Sequence, residues 1–180
     1  MTVTALATGA TVWLTGLPSA GKTTLATALA RRVDRPVEVL DGDEVREFLS
    51  RGLGFSREDR DTNVLRIGWV AATLAKHGVL VLASVISPFA ETRARVRGLH
   101  QVRGAGFVEV HVATPVEVCS QRDVKGLYAR QAAGELTGLT GVDAPYEPPV
   151  APEAVVRTHE QTLDQSVEQL LVVLHERGLT

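Results

Sequence analysis

TVWLTGLPSAGKT, residues 11–23, joins a β-branched apolar run to a glycine-rich turn. The turn, from Gly16 to Thr23, matches the pattern G-x-x-x-x-G-K-[ST], in which backbone N–H groups close around phosphates. A strand pattern precedes the motif and a helical pattern follows it, which is the context that a phosphate-binding loop needs. The sequence therefore predicts a nucleotide triphosphate site at this position.

The residue types in the motif predict a division of roles. Lys22 is expected to reach the β- and γ-phosphates of ATP, and Thr23 to offer its hydroxyl to Mg²⁺ held through ATP. ATP and Mg²⁺ are thus the expected cofactors. The loop residues predicted to bind ATP are Gly16, Leu17, Pro18, Ser19, Ala20, Gly21, Lys22, Thr23 and Thr24.

On either side of the motif, short β-branched runs alternate with helical patterns. Strands are predicted at residues 11–15, 37–40, 79–86, 107–112 and 155–157, and helices at residues 22–33, 43–49, 56–77, 88–103 and 162–177. This alternation predicts a single-domain α/β P-loop NTPase/kinase fold, with a mostly parallel sheet and helices on both faces. The domain is expected to cover residues 11–180, after an N-terminal tail at residues 1–10. Trp13 and Trp69 are expected in the core.

Composition and charge argue against several classes of function. A net charge of −2 over 180 residues gives no bulk attraction to nucleic acid, and the single cysteine, Cys119, excludes an internal disulfide. Residues 1–10 lack the pattern of a signal peptide, and the longest apolar run, residues 79–86, is too short to span a bilayer. We therefore expect a cytoplasmic protein without a nucleic-acid or membrane partner.

Two carboxylates follow the second predicted strand, in the sequence Asp41-Gly-Asp43. Carboxyl ends of parallel strands form the ligand-binding edge of such sheets. One carboxylate would accept the proton of an attacking hydroxyl, and either would hold a metal through water. We favour Asp43 for orienting the acceptor hydroxyl. The alternative is a turn in which Asp43 caps the helix that carries Arg46.

A group of guanidinium side chains follows. Arg60, Asn63 and Arg66 are three residues apart and so share one surface of a helix, near Arg46 on the preceding helix. Guanidinium groups suit an anionic acceptor because they donate bidentate hydrogen bonds. The alternative is a solvated charged face. Phe55 is either a platform for a base or a core residue.

These motifs, taken together, resemble the adenylyl-sulfate kinase family. The matching segments are GLPSAGKTT, LDGDEVR, LGFSREDRDTNV, ISPF, FVEVHVATPVEVCSQRDVKGLY, TGVDAPYE and SVEQLL, in the family's order. The resemblance implies transfer of the γ-phosphoryl group of ATP to the 3′-hydroxyl of adenylyl sulfate. The products would be 3′-phosphoadenylyl sulfate and ADP, in sulfate assimilation. Relatives are dimers, so a homodimer is expected.

The resemblance also implies roles for individual residues. Arg46, Arg60 and Asn63 would hold the phosphosulfate and ribose of the acceptor, while Phe55 would stack on its adenine. A lid at about residues 122–138 would place Arg122 near the ATP phosphates, and a loop at about residues 139–152 would close over the acceptor. The other implied acceptor contacts are Ile86, Ser87, Lys125, Gly126, Leu127, Thr140 and Gly141.

Ser87 corresponds to a serine described in the family as a phosphoserine intermediate. A hydrogen bond to the acceptor is the simpler role, because direct in-line transfer needs only positioning and charge neutralisation, and no neighbouring base is evident. The chain also departs from the family pattern at four positions on the acceptor side. These are Leu65, Ala90, Ala132 and Leu139, the last replacing an aromatic residue that faces the adenine. Leu139 is expected to keep part of that apolar contact.

Two alternatives remain open from the sequence. The same fold and donor could serve another nucleotide or a small alcohol, since the departures cluster on the acceptor side. A non-catalytic nucleotide switch is the second alternative. Against a GTPase, the chain lacks an Asn-Lys-x-Asp guanine-binding motif, and its D-x-x-G match, Asp123 to Gly126, falls late in the predicted lid.

Overall fold

The structure is a computed structural model that describes residues 9–179. Most of the predicted tail, residues 1–8, lies outside this range. The strands are β1 Ala10–Thr15, β2 Val37–Asp41, β3 Leu80–Ser84, β4 Gly106–Val112 and β5 Ala154–Val156. The helices are α1 Lys22–Ala30, α2 Gly42–Phe48, α3 Arg57–Lys76, α4 Ala90–Val102, α5 Val116–Arg122, α6 Leu127–Ala132 and α7 Leu163–Glu176.

The five strands form one parallel sheet in the order β2-β3-β1-β4-β5. The phosphate-loop strand β1 is therefore central, with β3 and β4 beside it. This arrangement confirms the predicted α/β fold, and all five predicted strands are present. It brings the segments after β1, β2 and β3 to the same carboxyl edge, where ligands bind in such sheets.

Alternate residues of β1 face two separate cores, as the two-residue period of a strand requires. Val12 and Leu14 pack in a cluster with residues of α1 and α7, including Leu25 and Leu170. Trp13 packs on the other face in a cluster with residues of α3 and α4. Because both faces are covered, β1 is buried along its whole length.

Side-chain caps define where two of the long helices begin. Ser56 accepts a hydrogen bond from the backbone N–H of Asp59 at 3.1 Å, which confirms the predicted start of α3. Thr162 and Gln165 form a reciprocal capping box at the start of α7. None of the helices in residues 9–179 combines the length and apolar character needed to cross a bilayer.

One expectation about local structure was wrong, and two short helices were not predicted. Trp69 was expected in the core, but 53% of it is exposed, and the Arg103 guanidinium lies 5.7 Å from its ring. The cause is the helical period, since Ile67 takes the buried side of α3. The helices that were not predicted are α5 and α6. The Asp123 carboxylate accepts the N–H groups of Tyr128 and Ala129 at the start of α6.

We predict that Gly68→Ala destabilises the protein by about 1–3 kcal/mol, as overpacking does. A Cβ atom at Gly68 would lie 2.7 Å from a methyl group of Val96, where α3 packs on α4. Gly98→Ala on α4 is the matched control, because a Cβ atom there meets no atom within 4 Å. The control should stabilise by about 0.5–1 kcal/mol through helix propensity. Urea unfolding measures both values, and equal effects of the two substitutions would contradict the packing argument.

Candidate active site

A cavity of about 820 Å³ opens at the carboxyl edge of the sheet. One end is formed by the phosphate loop and the other by residues of α2, α3 and the segment after β3. Most of the predicted site residues line it: Pro18, Ser19, Gly21, Lys22, Thr23, Thr24, Asp41, Asp43, Arg46, Phe55, Arg60, Asn63, Ile86, Ser87, Arg122, Lys125 and Leu127. The predicted residues outside this lining are Gly16, Leu17, Ala20, Gly126, Thr140 and Gly141.

Two glycines shape the phosphate loop, one by close packing and one by its backbone conformation. A Cβ atom at Gly16 would lie 2.6 Å from the carbonyl oxygen of Val112, so only glycine lets the chain pass β4 there. Gly21 has φ 101°, a left-handed conformation that suits glycine, and it is the N-cap of α1. The loop therefore ends at a helix N-terminus, whose N–H groups and dipole favour an anion.

Four side chains from distant segments hold the backbone of the loop. The carbonyl oxygen of Ala20 accepts hydrogen bonds from Thr114 at 3.0 Å, from Thr158 at 2.9 Å and from Arg122 at 3.3 Å. The Tyr128 hydroxyl donates to the carbonyl oxygen of Pro18 at 3.0 Å. The loop is thus fixed by the segments after β4 and β5 before any ligand arrives.

Lys22 is buried beneath the loop and points its ammonium group at backbone carbonyls. Its Nζ donates to the carbonyl oxygens of Gly16 at 3.0 Å and Leu17 at 2.7 Å. Burial lowers the pKa of Lys22 to about 8, and the nearby cation of Lys125 acts in the same direction. A phosphate would supply the countercharge that this site lacks.

A set of oxygen atoms surrounds the hydroxyl of Thr23. Its Oγ1 lies 2.6 Å from Oδ2 of Asp41 and 3.0 Å from Oγ of Ser84. Asp41 also accepts the N–H of Asp43 at 2.9 Å and is the N-cap of α2. The alternative that Asp43 is the cap is therefore wrong, and Asp43 is left to face the cavity.

Asp43 lies between the two ends of the cavity and pairs with Lys125, which reaches across from the predicted lid. Both side chains are more than half exposed, so the pair contributes little stability. The contact shows that the segment before α6 reaches the carboxylate that we expect to orient the acceptor.

Phe55 and two guanidinium groups form the far end of the cavity. The Phe55 ring is 66% exposed, so the core alternative for it is wrong. The Arg46 guanidinium lies 4.3 Å and that of Arg60 5.6 Å from the ring centre. Asn63 is buried beside them, and its Oδ1 has no hydrogen-bond partner within residues 9–179. An open aromatic face with two cations suits a base that carries an anionic tail.

Arg66 does not join this group. It lies six residues beyond Arg60 on α3 and donates to the carbonyl oxygen of Leu49 at 2.7 Å, outside the cavity. The three-residue spacing predicted a shared surface, but two steps of three residues rotate a helix by roughly 240°, so Arg60 and Arg66 diverge.

Arg60 connects α3 to the predicted closing loop. Its guanidinium donates to the carbonyl oxygen of Gly138 at 2.6 Å and to the Thr140 hydroxyl at 2.8 Å. Asp143 accepts the N–H groups of Gly138 and Leu139, and these hydrogen bonds lower its pKa. Leu139 is only 6% exposed and packs in the core, so the apolar contact expected from it is not available in this conformation.

Ser87 sits on the floor of the cavity in a strained backbone conformation, with φ 42°. Its Oγ accepts a hydrogen bond from Nε1 of Trp13 at 3.0 Å, and its carbonyl accepts one from Arg93 at 2.8 Å. Arg93 is buried and also pairs with Glu109 at 2.7 Å. Among residues 9–179, no carboxylate or imidazole bonds to the Ser87 hydroxyl, which agrees with a binding role for it rather than a nucleophilic one.

Sequence reasoning missed a group of cavity residues in the segment after β5 and in the first turn of α7. The newly found lining residues there are Thr158, Gln161, Leu163 and Ser166. Arg122 donates to the Thr158 hydroxyl at 2.8 Å and to its carbonyl at 3.0 Å. The sequence carried a signal for them, because they follow a predicted strand and so lie at the ligand-binding edge of the sheet. That signal was weak because β5 is only three residues long.

A parallel sheet with a glycine-rich phosphate loop facing a carboxylate and two guanidinium groups defines a P-loop kinase. The chain belongs to the adenylylsulphate kinase family, whose model matches residues 8–157. It is 54% identical over 173 residues to an adenylyl-sulfate kinase of Gloeothece citriformis, covering 94% of this chain and 96% of the relative.

Two solved structures support this membership. The Mycobacterium tuberculosis APS kinase CysC, in complex with AMPPNP and APS, superposes with a TM-score of 0.89 and 41% identity, covering 93% of this chain and 98% of the other. A hexameric APS kinase from Thiobacillus denitrificans gives a TM-score of 0.72 and 37% identity. The match covers 97% of this chain and 30% of that chain.

We predict that the affinity of the protein for ATP falls as the pH rises from about 7 to about 9. Above the Lys22 pKa of about 8, most of the unliganded protein has a neutral amine at this position. Bound phosphate favours the ammonium form, so ATP binding takes up a proton in this pH range. Calorimetry in buffers of different ionisation enthalpy measures that uptake. Lys22→Arg is the control, because a guanidinium stays charged. Equal proton uptake by the variant and the wild type would contradict the assignment.

Proposed function

We propose that the protein transfers the γ-phosphoryl group of ATP to the 3′-hydroxyl of adenylyl sulfate, giving 3′-phosphoadenylyl sulfate and ADP. One observation carries the proposal: a single cavity holds the phosphate loop at one end and the Phe55 platform with Arg46 and Arg60 at the other, with Asp43 between them. The family membership and the complex of the M. tuberculosis relative with AMPPNP and APS support the same reaction.

The donor end of the cavity, formed by the phosphate loop, would neutralise the negative charge of the ATP phosphates. The amides of the phosphate loop and the Lys22 ammonium would bind the β- and γ-phosphates, replacing the carbonyls that Lys22 contacts now. Arg122, held against the loop by Thr158, would add a third positive group at the phosphates. Phosphoryl transfer needs little covalent help from the protein, so positioning and charge neutralisation account for most of the catalysis.

Magnesium fits the donor end. Mg²⁺ prefers oxygen ligands and keeps several waters, with one or two protein groups beside the phosphates. Thr23 and Asp41 supply such oxygens close together. Within residues 9–179 there is no cluster of three or more acidic, histidine or cysteine side chains that would hold a metal alone, so the nucleotide would complete the site. When bound, the ion draws charge from the γ-phosphate.

The acceptor end would orient the reacting alcohol. The adenine would stack on Phe55, and its anionic tail would bind Arg46 and Arg60. Asn63 Oδ1, which lacks a donor, would accept a hydrogen bond from a ribose hydroxyl. Asp43 would then hold the 3′-hydroxyl in line with the γ-phosphorus and accept its proton. We further propose that residues 122–138 close over the nucleotide and exclude water.

A coupled assay for ADP release across a panel of acceptors tests the proposal. The panel contains adenylyl sulfate, other adenine nucleotides without sulfate, nucleotides with other bases, and small alcohols. The highest kcat/KM is expected for adenylyl sulfate. In its product, the transferred phosphate should be attached to the 3′-oxygen. A higher kcat/KM for any other acceptor would mean that the fold serves a different substrate.

The resemblance also predicts a homodimer, and assembly remains a separate proposal because a relative is hexameric. Light scattering on the purified protein gives the mass directly. A mass of one or of six chains would refute the dimer without affecting the proposed reaction.

We predict that Asp43→Asn lowers kcat by about 10²–10⁴, the usual contribution of a general base. The amide keeps the shape of the side chain but does not accept a proton. ATP affinity should change little, because Asp41 and not Asp43 contacts Thr23. Lys22→Ala, in contrast, should abolish turnover. Wild-type kcat in Asp43→Asn would remove this residue from the chemistry.

We predict that Arg60→Ala raises the KM for the acceptor at least about tenfold, the effect of losing a charged hydrogen bond, with a smaller effect on the KM for ATP. Arg66→Ala is the matched control, because Arg66 lies on the same helix but outside the cavity. Steady-state kinetics with each substrate varied in turn separates the two effects. A similar change in both variants would point to damage of α3 rather than loss of acceptor binding.

A further inference from the structure

Ser84, the last residue of β3, has a position that the reaction as described does not explain. Its side chain is only 4% exposed, yet it lines the cavity at the donor end. Its Oγ lies 3.0 Å from Oγ1 of Thr23. Within the described part of the chain, that is the hydrogen bond that the structure gives this hydroxyl.

The sheet register places Ser84 beside Asp41. The two residues are direct partners in the parallel pairing of β2 and β3, so they stand at the same level on neighbouring strands. Neighbouring strands lie about 4.8 Å apart. Both side chains therefore reach the same hydroxyl, that of Thr23, from two sides.

Proton counting fixes the direction of these hydrogen bonds. A hydroxyl has one donor and two acceptor positions, whereas an ionised carboxylate only accepts. Thr23 must therefore donate its proton to Asp41, and the remaining contact requires Ser84 to donate to Thr23. This arrangement holds the Thr23 side chain in one orientation and leaves one lone pair of its oxygen for a metal ion.

The ends of β2 and β3 place a carboxylate and a hydroxyl side by side. P-loop NTPases hold Mg²⁺ with the loop Ser or Thr and with a Walker-B aspartate. On one side of the loop strand β1 lies β3, which ends in the neutral Ser84, while the carboxylate stands one strand further away on Asp41. The pair of residues thus supplies one hydroxyl and one carboxylate at adjacent positions.

We propose that Ser84 is a positioning residue for the magnesium ion of the bound nucleotide. It orients the Thr23 hydroxyl. Asp41 and Ser84 form a pair in which a carboxylate at either position, on β2 or on β3, supports metal binding at Thr23. The inference uses the proposed Mg·ATP donor but not the acceptor. A failed acceptor assay and a failure here are therefore distinguishable.

The first experiment measures metal affinity directly. Mn²⁺ binding to the complex of the protein with AMPPNP is followed by electron paramagnetic resonance, without acceptor. Ser84→Ala is expected to weaken Mn²⁺ binding about tenfold or more, the usual effect of losing a residue that orients a metal ligand. AMPPNP affinity in the presence of EDTA should stay unchanged. Ser84→Thr, which keeps the hydroxyl, should retain most of the metal affinity.

The second experiment exchanges the two residues. Asp41→Ser alone should weaken Mn²⁺ binding about 10- to 100-fold, while serine keeps the ability to cap α2. The double variant Asp41→Ser with Ser84→Asp moves the carboxylate to β3, on the other side of Thr23. We expect it to bind Mn²⁺ more tightly than Asp41→Ser alone.

The control and the contrary outcomes are as follows. Ser50→Ala removes another buried hydroxyl, one that lies outside this cavity, and should leave Mn²⁺ affinity unchanged. Unchanged Mn²⁺ affinity in Ser84→Ala would overturn the proposal. So would a folded double variant that binds Mn²⁺ no better than Asp41→Ser. If the double variant does not fold, Ser84→Ala alone decides.

Discussion

The rest of the active site depends on the rigid phosphate loop that joins β1 to α1. A phosphate loop binds anions only when its backbone is held rigidly, because a mobile loop would lose entropy on binding. Gly16 allows the close approach to Val112, and the Ala20 carbonyl is held by Thr114, Arg122 and Thr158. These three partners come from segments far apart in sequence. The donor site is therefore built by the segments after β4 and β5 as well as by the loop itself.

The two ends of the cavity use different chemistry for different kinds of charge. Hydroxyl and carboxylate oxygens cluster around Thr23, which suits a hard cation, and guanidinium groups flank Phe55, which suits an anion attached to a base. Asp43 stands between the two ends. This separation keeps the cationic groups of the acceptor end from competing with the metal, and it gives the transferred group a fixed direction.

The floor of the cavity is tied to a buried charge network. Arg93 donates to the carbonyls of Ser87 and Glu147 and pairs with Glu109, while Arg97 joins Glu109 to Glu153. Burial of such charges is costly unless their hydrogen bonds are complete. Here the network holds Ser87 in a left-handed conformation, and it thereby fixes the position of its hydroxyl. Strain of this kind persists only where the surroundings determine the conformation.

The sequence by itself determined the strands, the long helices, the phosphate loop and most of the cavity residues, because those signals lie in neighbouring residues. Only the tertiary structure decided that Asp41 caps α2 and bonds to Thr23, that Leu139 is buried, that Trp69 is exposed, and that Ser84 and Thr158 belong to the site. The physical reason is the strand order. Which side chains meet at the edge of a sheet depends on which strands are neighbours, and β2-β3-β1-β4-β5 is an order that local patterns do not encode.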